Sequence, residues 1–203
     1  MNVTDLELGY PLRSSRLLLR PLAMDDVSGL LSYRSLPEVC RYVPFNPMDT
    51  ETLHQRLRDS WNRRRLEAEG QAIVLGIELT STGSLIGDVL LSWTSERHRS
   101  GEIGYVLNPA YFGQGFATEA AHRLLHYAFD DLQLHRIVAR VILGNHSSVK
   151  VAMKLGMRQE AHLVENEWFK GRWIDELDFA LLESEWRNSH KATTDVLPGC
   201  PPH

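Results

Sequence analysis

The sequence predicts a mixed α/β (α+β) fold with a mostly antiparallel central sheet, flanking helices and one β-α-β unit. Short apolar strand segments joined by turn residues predict the sheet, as at Thr80-Ser81-Thr82-Gly83 between residues 71–79 and 85–94. A helical period follows Gly115. Ala117, Ala120, Ala121, Leu124, Leu125, Ala128 and Phe129 share one face, and Glu119, His122, Arg123 and His126 the other. That helix stands between strand segments 101–107 and 135–143, which gives the β-α-β order.

A chain of 203 residues is one or at most two domains and can bury a substantial core. Hydrophobic residues at 43% and charged residues at 24% are ordinary for a globular protein, and a formal charge of −4 gives no reason to expect nucleic acid. Cys40 and Cys200 are too few and too far apart for a disulfide framework or a zinc site. Residues 1–11 lack the features of a signal peptide, and no apolar run approaches the roughly 18 residues of a membrane span. No membrane association and a cytoplasmic location are expected.

Taken in order, residues 1–15 form an N-terminal arm and 16–21 a first strand. A helix is expected over 23–35, opened by Asp25 and Asp26. Residues 36–48 hold Pro37, Pro44 and Pro47 among Tyr42, Val43 and Phe45, so no regular helix is expected there and the aromatics suggest a substrate wall. A long helix is predicted over 49–69, with Leu53, Leu57 and Trp61 on one stripe, Arg63-Arg64-Arg65 on a solvated face and Gly70 as its end. After the two hairpin strands and the β-α-β unit, a short helix spans 147–155 and ends at Gly156. A long hairpin of 157–169 and 172–182 turns at Lys170-Gly171, and 183–188 is a last helical turn. The polar, proline-rich stretch 189–203 is expected to be a disordered tail, which leaves 16–188 as the domain.

The chemistry is expected at Asn108-Pro109-Ala110-Tyr111-Phe112-Gly113-Gln114-Gly115-Phe116-Ala117-Thr118-Glu119. The first N–H groups of a helix lack internal partners, and the helix dipole places partial positive charge there. Gly113 and Gly115 have no Cβ and Ala117 a small one, so an anion can approach closely. A turn that needs glycine for its dihedrals alone would read the same way. No Gly-Lys-Ser/Thr follows, which excludes a Walker loop; Thr118 where a third small residue belongs argues against a dinucleotide fingerprint.

Phe112-Gly113-Gln114-Gly115-Phe116-Ala117 resembles the acetyl-CoA loop of the GNAT superfamily of N-acetyltransferases, Arg/Gln-x-x-Gly-x-Gly/Ala, with Phe112 in place of the usual Arg or Gln. The aromatic, followed by Gly-Gln-Gly-x-Ala-Thr-Glu-Ala, resembles the Rim-type branch that acetylates ribosomal-protein N-termini. Downstream, Asn145, Ser148, Lys154 and Gly156 match the GNAT segment Asn-x-x-Ser-x-x-x-x-x-Lys-x-Gly-Phe, with Met157 for Phe. The likeness covers about residues 15–186. It implies a GNAT-like fold and acetyl-CoA as cosubstrate, lying in a V-shaped gap between the strand ending at Leu107 and the strand from His135. Residues 112–118, that is Phe112, Gly113, Gln114, Gly115, Phe116, Ala117 and Thr118, would hold it with Asn145 and Ser148.

In that gap the amides of Val106 and Leu107 are the nearest candidates to stabilise an oxyanion. The attacking amine must be neutral. At pH 7 an α-amine of pKa about 7.8 is roughly one-seventh neutral, and a lysine of pKa about 10.4 about one part in a few thousand. Glu102, followed by Ile-Gly-Tyr as in the Rim-type branch, is the expected base, and Ser148 the expected donor to the leaving thiolate, with Tyr105 in competition. Glu165, Glu167, Asp175 and Glu176, beside Trp168 and Trp173 on the last hairpin, could line a cleft for a cationic amine. His122 and His126 have metal spacing but no third ligand, so no metal is expected.

The expected activity is transfer of an acetyl group to a primary amine by direct attack in a ternary complex, by a monomer or homodimer. A protein N-terminal α-amine is the first expected acceptor. A small-molecule amine (aminoglycoside, polyamine or amino acid) and a non-catalytic CoA-binding module are the alternatives.

Overall fold

The computed structural model describes residues 10–194. In chain order they form β1 (Leu12–Arg13), β2 (Leu17–Pro21), α1 (Val27–Arg34), α2 (Pro37–Cys40), α3 (Thr50–Asp59), β3 (Ala72–Leu79), β4 (Ser84–Ser95) and β5 (Ser100–Leu107). Then follow α4 (Phe116–His126), β6 (Arg136–Ile142), α5 (His146–Lys154), β7 (Arg158–Phe169), β8 (Arg172–Leu182) and α6 (Glu183–Thr194). The strands make one sheet in the order β1-β2-β3-β4-β5-β6-β8-β7, antiparallel at every pairing except β5 with β6.

Helices cover both faces of this sheet. On one, Phe116, Ala120 and Leu124 of α4 pack with Ile103, Leu107, Ile137, Val141 and Phe179. On the other, Leu30 and Tyr33 of α1 and Leu53 and Leu57 of α3 pack with Val74. Burial on both sides explains why β3 reads as a near-continuous apolar run instead of alternating.

The parallel pair is short. It runs from Ser100↔Arg136 to Glu102↔Val138, although β5 continues to Leu107 and β6 to Ile142. Beyond Glu102 each strand follows its other neighbour: β5 stays with β4 as far as Gly87↔Leu107, and β6 with β8 as far as Ile142↔Glu176. Gly87 permits the tight approach of β4 to β5, since a Cβ there would stand 2.4 Å from the Val106 carbonyl oxygen. Two strand pairs that twist independently must part, and a gap opens between them.

The structure corrects several expected elements. The helix expected over 49–69 stops at Asp59, and Arg63-Arg64-Arg65 lies outside it. On a continuous helix Leu66 would fall about 220° round from Leu53. Leaving the helix lets Trp61 enter the α1/α3 core and Leu66 the α4 core. Residues 36–48 do contain a helical turn, α2, because Pro37 opens it where the missing N–H is harmless. The helix expected from Ala23 begins as a 3-10 turn at Met24–Asp26. At the other end, α6 continues through the first six residues of the expected tail, and 195–203 lie outside the described residues. Trp186, 3% exposed, anchors α6 against Phe129 with ring centroids 5.6 Å apart.

Candidate active site

The turn between β5 and α4 begins with a side-chain cap, where Asn108 Oδ1 accepts from Ala110 N at 3.0 Å. Gly113 and Gly115 then adopt left-handed φ values of +77° and +82°. Among the described residues no acceptor meets the N–H groups of 113–118; the next amide, Glu119, donates to Gly115 O at 3.0 Å. A Cβ at Gly113 would meet nothing within 4 Å, and one at Gly115 only Arg16 Nη2 at 3.7 Å. A row of unpaired donors with open space above it fits the diphosphate of a nucleotide. Beside it lies a cavity of about 820 Å³ bordered by Arg13, Arg123 and Lys154, and by Asp130 and Asp131. Phe112 is exposed at the loop, whereas the Phe116 side chain lies in the core, so Phe116 can offer a ligand only its backbone.

The loop is fastened from beneath. Glu119 Oε1 accepts from Ser14 Oγ (2.8 Å), Ser15 Oγ (3.0 Å) and Arg16 N (2.8 Å), and its Oε2 from Arg16 Nε (2.7 Å). Arg16 also donates to Gln114 O at 3.2 Å and lies 4.3 Å over the Phe116 ring. Burial alone would raise the Glu119 carboxyl, but these bonds outweigh it and hold it below its ordinary pKa. Sequence reasoning had placed Glu119 on the outer helix face. No local pattern shows the contact, because Arg16 is 103 residues away.

In the gap, strand alternation decides which amides are available. Asn108 N donates to Ile86 O at 2.8 Å, so the even-numbered residues of β5 face β4 and the odd-numbered ones face β6. Val106, expected to offer an amide beside Leu107, therefore turns its N–H toward β4. Past the last paired residues, Tyr105 and Leu107 face the opening. The Tyr105 hydroxyl donates to the Ser148 carbonyl at 3.0 Å. Burial pushes this phenol up to about 12, with the Ser148 side chain pulling the other way. Asn145 is the cap of α5, its Oδ1 accepting from Ser148 N at 3.2 Å. The gap thus brings Tyr105, Ser148 and Asn145 together.

Glu102 projects from the opposite face to α4, at the closed end of the gap, and lines a cavity of about 460 Å³ with Thr94, His98, Ser100, His135 and Arg140. Burial raises its carboxyl above the usual range; Arg140, 3.1 Å away, opposes this and Asp178 adds to it. Glu176 and Asp178 of β8 share that face. Sequence reasoning singled out Glu176 but neither Arg140 nor Asp178, since only the pairing of β6 with β8 unites them.

The 36–48 segment is a packed connection, tied at both ends. At one end the buried Arg34 pairs with Asp88, which also accepts from Tyr33 Oη at 2.6 Å, and its guanidinium lies 4.4 Å over Phe45 and 5.0 Å over Trp61. At the other, Lys170 of the last hairpin donates to the carbonyls of Cys40 and Phe45, the latter at 2.8 Å. The Tyr42 hydroxyl stands 3.8 Å from the Cβ position of Gly144, beside the end of β6. His122 and His126 pack on Trp186 at 4.9 and 5.0 Å between ring centroids, and His126 pairs with Asp130. Among the described residues no three His, Cys, Asp or Glu side chains are placed to hold a metal ion, and no helix is long and apolar enough to cross a membrane.

Comparison with known proteins agrees with this geometry. A model described as an acetyltransferase (GNAT) domain matches residues 16–158. The chain is 34% identical to the uncharacterized N-acetyltransferase p20 of Bacillus licheniformis over 175 residues, covering 86% of this chain and 97% of that protein. A GNAT-family acetyltransferase structure from Bacillus anthracis superposes with a TM-score of 0.76 at 30% identity, covering 85% of this chain and 98% of the other. Spermidine N-acetyltransferase from Vibrio cholerae, in complex with CoA and spermine, gives 0.72 at 26% identity and covers 86% and 100%.

Proposed function

Since the chain belongs to the GNAT acetyltransferase family, we propose that it acetylates a primary amine on a small cationic molecule by direct attack in a ternary complex. Acetyl-CoA supplies the activated acetyl group; the chain's own residues bind, orient and move protons. The unpaired amides of 113–118 support a role in gripping the diphosphate, and the gap-facing groups of Tyr105 and Leu107 a role in orienting the pantetheine amides and the acyl oxygen. Glu102 would take the proton from the acceptor ammonium. A carboxyl raised by burial is better matched to an amine than an ordinary glutamate. Ser148, with the Tyr105 hydroxyl against it, would return a proton to the departing sulfur.

The observation that carries the acceptor class is the acidic face, where Glu102, Glu176 and Asp178 surround Arg140, and Arg136 beside them is paired with Glu160. Net negative charge there favours a substrate that keeps further ammonium groups after one is neutralised. The Vibrio cholerae relative, crystallised with spermine, is consistent with this. A protein N-terminal α-amine is the second reading, supported by the likeness of the loop to the Rim-type branch and by the larger neutral fraction of such amines. The test is thiol release from acetyl-CoA with spermidine, spermine, an aminoglycoside and short peptides. Saturable turnover of a polyamine is expected. Saturation only with peptides would replace the first reading by the second, and CoA binding without thiol release in any case would overturn both.

A further inference from the structure

Three adjacent strands bring one cation and three acids together on the acceptor face. Arg140 of β6 has Nη1 3.1 Å from Glu102 Oε2 of β5, and Nε 3.6 Å from Glu176 Oε1 and 3.9 Å from Asp178 Oδ1 of β8. Only the contact with Glu102 is a hydrogen bond. Glu176 is 6% exposed, and among the described residues no N–H group donates to it. Asp178 Oδ1 is buried without a hydrogen-bond partner.

Glu176 and Asp178 stand two residues apart on the same strand face, so they share one environment. Two ionised carboxylates there would lack donors and repel each other, with one guanidinium already committed to Glu102. A single proton held between them removes one charge and gives an unpaired oxygen a partner. The remaining charges near this group add to the negative side or are already engaged. Glu167 of β7 acts on Glu176 as a further negative charge, and Arg136, bound by Glu160, acts on Asp178 as a positive one. His98 and His135 line the cavity beside Glu102.

We propose that Glu176 and Asp178 hold one proton between them and, through their shared contact with Arg140, set the basicity of Glu102, which makes them positioning residues for deprotonation of the acceptor. In that step an ammonium N–H bond breaks and an O–H bond forms on Glu102, while the proton of the pair stays where it is. The charge left on the pair draws Arg140 from Glu102 and repels the Glu102 carboxylate, so both effects raise its affinity for a proton. Burial of Glu102 acts in the same direction, and burial of Glu176 favours the proton on the pair. The inference rests on Glu102 being the base.

The test is the pH dependence of kcat/KM for the full chain with its best amine, in wild type, Glu102→Gln, Asp178→Asn, Glu176→Gln and the double variant Asp178→Asn/Glu176→Gln, with Tm and the Kd for CoA measured on each. Removing either acid alone leaves the same single negative charge on the other carboxylate, so the acid limb should hardly move. Removing both takes that charge away, so the limb should move to lower pH, on the order of one unit, with the Kd for CoA unchanged. A limb that stays in place in the folded double variant overturns the proposal, as does a shift of that full size in either single variant. Retention of rate and limb by Glu102→Gln would instead remove the base itself, which keeps the two failures apart. If the double variant does not fold, carbon-13 titration of the wild-type carboxyls decides. One of the pair should lose its proton only above the ordinary carboxylate range, and ionisation of both within that range would overturn the proposal.

Discussion

Glu102 and Glu119 are both partly buried glutamates that meet an arginine, yet their carboxyls are displaced in opposite directions. Glu119 receives hydrogen bonds from two hydroxyls, an amide and a guanidinium, and its charged form is favoured. Glu102 receives one, from Arg140, and burial wins. The consequences for pH differ accordingly. Because the folded Glu119 carboxyl lies below its unfolded value, its stabilisation is present above the ordinary glutamate pKa and is lost as pH falls through the folded one. Glu119→Gln should lower stability by about 1–3 kcal/mol at neutral pH, and the difference in Tm from wild type should shrink in acid. For Glu102 the pH effect concerns rate: only the deprotonated form can accept a proton. Glu102→Gln should lower kcat by about 10²-fold or more where Glu102 is ionised, and the difference from wild type should shrink in acid, as followed by thiol release across a pH series.

At the scale of elements, the loop into α4 and the clasp on residues 36–48 carry separate predictions. Any side chain at Gly115 must take a left-handed φ, costing roughly 1–2 kcal/mol, and a branched one would also crowd the space above the amides. Gly115→Val should weaken CoA binding in calorimetry by 10-fold or more. Lys170→Met removes both donors that tie the last hairpin to Cys40 and Phe45. It should raise the KM for the amine several-fold while leaving the Kd for CoA unchanged. The loop and its helix were legible in the sequence because everything they need is local: a capping asparagine, glycines at positive φ and a helical apolar period. The early end of α3 was not, because Leu66 is drawn away by a core assembled from distant strands. Which β5 amides face the gap depends on a register with β4 that residue types do not record. Arg140 likewise acquires its role only through its partners on β5 and β8.

For the whole molecule, ligand binding should register as stability. At a CoA concentration 100 times its Kd the gain is about 2.7 kcal/mol, which corresponds to a rise in Tm of roughly 5–11 °C for a chain of this size. A flat thermal profile with CoA would contradict the site. The same measurement bears on extent. A chain trimmed to residues 10–194 keeps the Ser14, Ser15 and Arg16 contacts with Glu119 as well as the Trp186 anchor, and should show the full CoA-dependent rise. Trimming further, to begin at Leu17, should diminish it.

The brevity of the β5–β6 pairing has a mechanical consequence. Three residue pairs at one end join two leaves of sheet, one of five strands and one of three, which otherwise spread like a partly opened book. An elongated molecule lying in the spine would extend the ladder from both pages and stiffen the hinge. Slowed hydrogen exchange at Tyr105 and Leu107, and not at Val106, would be its signature.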